Sequence, residues 1–151
     1  MYLKLLLPFA TLLFTATVMA EENPIPTLDE LLAQDKKTEW LEKPYEYQDG
    51  KVDIATYRGW RQFHGVCHTC HGQDAAGSTF APNLLESFGN PELTYKKFVE
   101  TVYNGRQVVK EGQQPMLAFG NNRDVIRNLD NLYAYLRARA DGVLGVGRPQ
   151  K

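Results

Sequence analysis

Apolar and aromatic residues recur every three or four positions in three stretches of the chain, and this spacing predicts helices at about residues 53–66, 94–104 and 124–140. Asp53 and Thr94 stand at the start of the first two stretches and are suitable N-caps, because their side-chain oxygens accept hydrogen bonds from free backbone amides. The positions that carry the spacing are Tyr57, Trp60, Phe63 and Val66, then Phe98, Val99, Val102 and Tyr103, and finally Val125, Leu129, Leu132, Tyr133 and Leu136.

The segments between these helices, residues 72–92 and 107–122, are rich in Gly, Ser, Asn and Pro and are predicted to be loops. No stretch alternates apolar and polar residues convincingly, so the expected fold class is all-α, with about three to five helices. Loops of more than about 12 to 15 residues in a compact domain need a functional reason. A large buried ligand would supply that reason.

The N-terminal part of the chain divides into two predicted segments. Residues 1–20 carry Lys4, an apolar run and small or medium residues at the end, as in a cleaved export signal. An uncleaved membrane anchor is the alternative, although the run is short for a spanning helix of about 20 residues. Residues 21–52 are expected to form an acidic extension over the domain surface, with a short helix at 27–35 begun by a capping box of Thr27 and Glu30.

Composition and charge limit the class of protein further. The chain has 151 residues and a net charge of −1, which fits one small domain, predicted at 53–140 with a tail at 141–151, and argues against a nucleic-acid partner. Residues 21–53 have ten acidic against four basic residues, while residues 123–151 have six basic against three acidic ones. This dipolar layout suits docking with another protein, and a partly disordered acidic extension explains it equally well.

The two cysteines lie in the sequence Cys67-His68-Thr69-Cys70-His71, which fits the C-x-x-C-H attachment motif for c-type haem. Two thiols at this spacing can form thioethers with the two vinyl groups of one porphyrin, and the following His71 can then bind the iron. A thioredoxin-like dithiol would need a preceding strand, and a zinc site would need a second pair of ligands. A disulfide here would close a loop too small to stabilise much.

Met116 is the predicted second iron ligand. Signal cleavage would leave it as the only methionine of the mature chain, in the loop between the last two helices. A thioether ligand raises the haem potential, whereas a core methionine that fills a gap is the alternative. His64 and His68 are poorer candidates, because both lie on the same local segment as His71.

With these residues identified, residues 53–140 resemble the class I c-type cytochromes. The matching features, in family order, are Gly59, Phe63, Cys67, Cys70, His71, Pro82, the "NGR" at 104–106, Met116 and the final "LDNLYAYL". The resemblance implies helices wrapped around one covalently attached haem, with Gly59 allowing the first helix to cross the last closely and Phe63 packed near Leu132 and Tyr135. It implies that the Pro82 carbonyl accepts the Nδ1 proton of His71. It also implies a haem wall made of Phe80, Leu84, Leu85 and Phe119, although ordinary core packing explains these residues equally well.

A closer resemblance joins residues 49–72, 77–84 and 123–149 to the cytochromes linked to methanol metabolism. It implies a periplasmic one-electron carrier, not an enzyme. Its electron donor would be a pyrroloquinoline-quinone-dependent dehydrogenase for methanol or another alcohol. The carrier would pass them to another cytochrome or an oxidase, without stable membrane insertion after signal cleavage. A general respiratory shuttle is the alternative, as is a haem enzyme or gas-binding protein. The predicted docking surface is His68, Thr69, Gln73, Ala75, Ala76, Gln113 and Gln114.

Overall fold

The secondary structure of the computed structural model is mainly helical, as the hydrophobic spacing predicts. The structure describes residues 23–107 and 114–151, so the predicted signal at 1–20 lies outside the described residues. The elements in chain order are α1 (Leu28–Leu32), α2 (Thr38–Glu42), β1 (Tyr47–Gln48), β2 (Lys51–Val52), α3 (Ile54–Gln62), a π-helical turn (Phe63–Cys67), α4 (His68–His71), a 3-10 turn (Gln73–Ala75), α5 (Leu84–Gly89), α6 (Tyr95–Asn104), α7 (Arg123–Arg127) and α8 (Leu129–Ala140).

Helices α3 and α8 cross at Gly59. A Cβ atom at this position would lie only 1.8 Å from the Asn131 carbonyl oxygen, so the missing side chain is what permits the contact. Phe63 is fully buried and packs against Tyr135 with ring centroids 5.5 Å apart. Since α8 is buried on almost every side, it forms the centre of the core. The predicted close crossing is confirmed.

The segment before α3 packs on the outside of α6 and α8. Thr27 and Glu30 form the predicted capping box at the start of α1. Trp40 of α2 stacks on Tyr133 with ring centroids 5.8 Å apart and meets Tyr95 edge-on at 5.6 Å. These aromatic contacts attach the acidic segment to the helical core, because each ring buries apolar area and pairs in a favourable orientation.

Two predictions about secondary structure are wrong in part. Residues 72–92 are not all loop, because Asn83 caps α5 by accepting a hydrogen bond from the Leu85 amide. The final helix does not run unbroken from 124 to 140. It is divided at Asn128, whose backbone leaves the helical region (φ −110°, ψ 15°) and whose side-chain amide donates to the Asp124 carbonyl at 2.8 Å.

A small β-hairpin was not predicted. Its turn, Asp49-Gly50, has positive φ angles of 52° and 80°, the conformation that a tight hairpin turn requires and that an Asp-Gly pair favours. The C-terminal tail joins this hairpin, since the Val52 amide donates to the Gln150 carbonyl at 2.9 Å. Among the described residues, no helix combines the length and apolar character needed to cross a membrane.

Candidate functional site

The two cysteines lie just beyond the end of α3. Helix α3 continues through the π-helical turn, which ends at Cys67, and Cys70 and His71 follow in α4. Cys67 is half-buried, Cys70 is exposed and the two form no disulfide with each other. Burial, reinforced by the neighbouring Cys70, raises the pKa of Cys67 to about 11. A redox or catalytic cysteine needs a lowered pKa, so Cys67 does not have the character of an activated thiol.

His71 is held by the loop that follows it. Gly72 ends α4 with a φ of +72°, and a Cβ there would meet the Gly77 carbonyl oxygen at 2.1 Å. The Gly77 amide donates back to the His71 carbonyl at 2.8 Å. The His71 Nδ1 donates to the Pro82 carbonyl at 3.5 Å, the bond that the resemblance implies. This leaves the other ring nitrogen, Nε2, without its proton and free to bind a metal.

The charge state of His71 agrees with that role. Burial lowers the pKa of His71, and the Pro82 carbonyl opposes the shift only partly. The imidazole is therefore neutral at neutral pH, as a metal-binding histidine must be.

Local hydrogen bonds shape the loop that carries Pro82. The Ser78 amide donates to the Ala81 carbonyl at 3.0 Å, and the Phe80 amide donates to the Ser78 hydroxyl oxygen at 3.0 Å. The Ser78 hydroxyl in turn donates to the Cys70 carbonyl. Ser78 thus connects the Pro82 loop to the cysteine motif, a role that sequence reasoning missed because a lone serine in a polar loop gives no signal.

Met116 is fixed by backbone pairing with the end of α6. The Arg106 amide donates to the Met116 carbonyl at 3.0 Å, and the Met116 amide donates to the Arg106 carbonyl at 2.8 Å. Gly105 makes this possible, because its φ is +71° and a Cβ there would lie 2.4 Å from the Met116 carbonyl oxygen. The "NGR" at 104–106 therefore ends the helix, as Asn104-Gly105 predicted, and then positions the methionine segment, a pairing that sequence reasoning did not anticipate.

The predicted wall residues differ in exposure. Leu84, Leu85 and Phe119 are half-buried and pack against the core, whereas Phe80 is 51% exposed. The Gln114 amide donates to the Phe80 carbonyl at 3.0 Å, which ties the Pro82 loop to the methionine segment. The structure therefore brings the two candidate ligand loops together through their backbones.

One residue of the predicted docking surface does not lie at the surface, so that part of the prediction is wrong. Ala75 is fully buried, because a turn with positive φ at Asp74 and Ala75 directs it inward. It therefore cannot belong to a docking surface. His68, Thr69, Gln73, Ala76 and Gln114 are exposed as expected, and Gln113 lies outside the described residues.

The donor set suits an iron porphyrin better than a bare metal ion. Within residues 23–107 and 114–151, no group of three or more His, Cys, Asp or Glu side chains is placed to hold a metal ion. A neutral imidazole, a thioether and two free thiols are instead the groups that hold a haem covalently and ligate its iron. The residues present thus fit haem c.

Comparison with known proteins gives three informative relatives. The chain is 42% identical over 105 residues to cytochrome c-553I of Paracoccus denitrificans, a match that covers 69% of this chain and 46% of that protein. It is 38% identical over 101 residues to cytochrome c-555 of Methylococcus capsulatus, covering 66% of this chain and 75% of that protein. No protein-family profile matches the chain.

A solved structure is similar as well. The c-type cytochrome XoxG from Methylobacterium extorquens AM1 superposes with a TM-score of 0.64 at 44% sequence identity, covering 71% of this chain and 65% of that one. The chain thus matches less than two thirds of the length of this structure and about half of the Paracoccus protein.

Proposed function

The chain belongs to the class I c-type cytochromes, and from this premise we propose that Cys67 and Cys70 attach its haem as thioethers and that His71 and Met116 bind the iron. As a member of this family it carries covalently bound haem c and transfers electrons, and it is not an enzyme. The haem supplies a centre that gains and loses one electron. The neutral His71, whose Nδ1 proton is held by the Pro82 carbonyl, is the observation that supports the assignment most directly.

The protein's own residues keep the two ligands in place. The Pro82 carbonyl fixes the orientation of the His71 ring, and the paired bonds with Arg106 fix the backbone of Met116. We expect Leu84 and Phe119, which are half-buried against the core, to cover the site, and Phe80, which is 51% exposed, to lie at its edge. An electron carrier requires such fixed ligands, since a site that opens favours oxygen or peroxide chemistry instead.

For its place in metabolism, we propose a periplasmic carrier that accepts electrons from a pyrroloquinoline-quinone methanol or alcohol dehydrogenase and passes them to another cytochrome or an oxidase. The resemblance of residues 49–72, 77–84 and 123–149 to cytochromes of methanol metabolism supports this proposal. Each reduced quinone carries two electrons, so one turnover of the donor requires two dockings of a one-haem carrier. Such redox encounters are small and weak, and they depend on ionic strength when charges steer them.

Two measurements test the proposal separately. Covalent haem that survives denaturation, together with a sulfur-to-iron charge-transfer band at the red end of the oxidised spectrum, is expected for the wild-type protein. A missing band, with carbon monoxide binding readily to the reduced form, would contradict the Met116 assignment. Stopped-flow reduction by a purified quinone methanol dehydrogenase is expected to saturate and to slow with added salt. Reduction that does neither would favour a general respiratory shuttle.

A further inference from the structure

A buried polar cluster lies where the loop after His71 meets the C-terminal tail. Its centre is Asp74, which is 2% exposed. Asp74 and Ala75 have φ angles of 55° and 67°, a left-handed conformation that residues other than glycine rarely adopt in succession. Bonds from other elements must therefore hold this turn in place.

Asp74 receives those bonds from the tail and from α8. Its Oδ2 accepts from the Gly147 amide at 3.0 Å, and its carbonyl accepts from the Arg139 Nε at 3.2 Å. The Arg139 guanidinium also donates to the Leu144 carbonyl. Asp74 and Arg139 thus hold both the turn and the tail in place.

The other carboxylate oxygen of Asp74 faces a histidine. Its Oδ1 is buried, accepts no hydrogen bond from the described residues, and lies 3.5 Å from the His64 Nε2. The His64 Nδ1 contacts the Trp60 carbonyl at 2.9 Å. Because a carbonyl only accepts, Nδ1 carries a proton. A neutral His64 would therefore turn the Nε2 lone pair towards a buried carboxylate oxygen, an arrangement that costs free energy.

Other polar groups border the pair. Tyr135 packs against the His64 ring at 6.1 Å, and its buried hydroxyl lies beside Asp74 and Arg139 without a hydrogen bond of normal geometry to either. Burial and the Asp74 charge raise the pKa of Tyr135, so it stays neutral. The remaining charged or titratable groups around the cluster are Arg139 of α8, His68 of α4, and Arg148 of the tail, which lies over the Trp60 ring at 5.7 Å.

We propose that His64 is an imidazolium paired with the Asp74 carboxylate, and that this buried ion pair is a positioning device for the turn after His71 and for the tail. The inference rests on the proposed haem site, because the turn begins directly after the proposed iron ligand. Asp74 is the third residue after His71, so their Cα atoms lie within about 11 Å. If a unit charge lies about 10 Å from the haem and the effective dielectric constant is about 20, it would change the equilibrium constant for haem reduction by on the order of tenfold.

The test is a double-mutant cycle on the haem reduction equilibrium at pH 5.5, where an imidazole without a partner is still mostly protonated. Asp74→Asn removes a negative charge and is expected to favour the reduced haem by on the order of tenfold. His64→Gln removes a positive charge and is expected to favour the oxidised haem by a similar factor. His64→Gln is repeated at pH 7.5, where an imidazole without a partner is mostly neutral, so its shift persists there only if the ion pair holds the charge. The double variant is expected to return close to wild type. Asp35→Asn, at an exposed loop position, is the charge-matched control and is expected to leave the equilibrium unchanged.

A purely structural role would give a different pattern. Loosening of the turn would shift both single variants in the same direction, and the double variant would not recover. That result, or single-variant shifts no larger than that of Asp35→Asn, would overturn the ion pair. If a variant fails to accumulate, hydrogen exchange of the Gly147 amide in the wild-type protein still tests the arrangement, since a rapidly exchanging amide contradicts it. Absence of covalent haem or of the charge-transfer band in the wild type would instead refute the proposed haem site.

Discussion

Gly59→Ala adds one methyl group at the point where α3 and α8 cross. The new Cβ would lie 1.8 Å from the Asn131 carbonyl oxygen and 2.8 Å from the Tyr135 Cβ. The first is a backbone atom and the second is attached to the backbone, so rotation of a side chain relieves neither clash. Ordinary contact begins at 3.4 Å, and the helices would have to separate by roughly 1.5 Å to reach it.

The expected cost follows from two opposing effects. Overpacking of a core costs about 1–3 kcal/mol, and a clash with backbone puts Gly59→Ala at the upper end of this range. Alanine gains up to about 1 kcal/mol over glycine inside a helix. The net prediction is a loss of about 2 kcal/mol of unfolding free energy, measured by denaturant unfolding of the haem-loaded protein with far-ultraviolet circular dichroism.

Gly65→Ala is the matched control. Gly65 follows on the same helical run, and a Cβ there would meet nothing within 4 Å. Only the helix preference of alanine remains, so its stability is expected to be unchanged or up to about 1 kcal/mol higher. Equal unfolding free energies for the two variants would refute the close crossing of α3 and α8.

Four further predictions concern the ligand segment, the extension and alkaline stability. Met116→Ala is expected to abolish the charge-transfer band and to allow carbon monoxide to bind the reduced haem, both read by absorbance. Gly105→Ala adds a Cβ 2.4 Å from the Met116 carbonyl oxygen at a φ of +71°, so the same band is expected to disappear at a lower temperature on heating. Trp40→Ala removes a half-buried aromatic contact and is expected to lower the unfolding free energy by about 2 kcal/mol in thermal melts. Burial and the bond to Asp141 raise the pKa of Tyr45 to about 12 from 10.0. The protonated tyrosine therefore stabilises the fold below pH 10, and this contribution is lost as the pH rises through 12. Tyr45→Phe is therefore expected to make the decline of stability above pH 10 less steep in unfolding measurements.

The sequence predicts well those features that depend on neighbouring residues. Asp53 and Thr94 cap α3 and α6 as expected, accepting from the amides of Thr56 and Lys97, because an N-cap is a bond within one turn. The capping box at Thr27 is correct for the same reason. The C-x-x-C-H spacing is equally local. The bond between His71 and Pro82 was anticipated only through the family resemblance, since it joins residues 11 positions apart.

The features that sequence reasoning missed depend on bonds between distant segments. Asp74 accepts a hydrogen bond from Gly147 of the tail, 73 positions away. The pattern of apolar and polar residues in the two segments does not predict this contact. The division at Asn128 is also invisible in the apolar spacing, because the residues on both sides keep a helical pattern while the backbone departs from it at one position. Helix α5 was not predicted, because the Gly, Pro and Asn residues around it are typical of loops.

The long loops were expected to have a functional reason such as a large buried ligand, and in the structure backbone hydrogen bonds also hold them. The His71 carbonyl accepts from the Gly77 amide, Met116 exchanges two bonds with Arg106, and Gln114 donates to Phe80. Each of these bonds lies beside a proposed haem ligand or joins the two ligand loops. A haem carrier works best when its ligands keep their positions in both oxidation states, and pairs of backbone bonds resist displacement better than a flexible side chain does. The irregular segments of this protein therefore supply the rigidity that helices supply elsewhere in the fold.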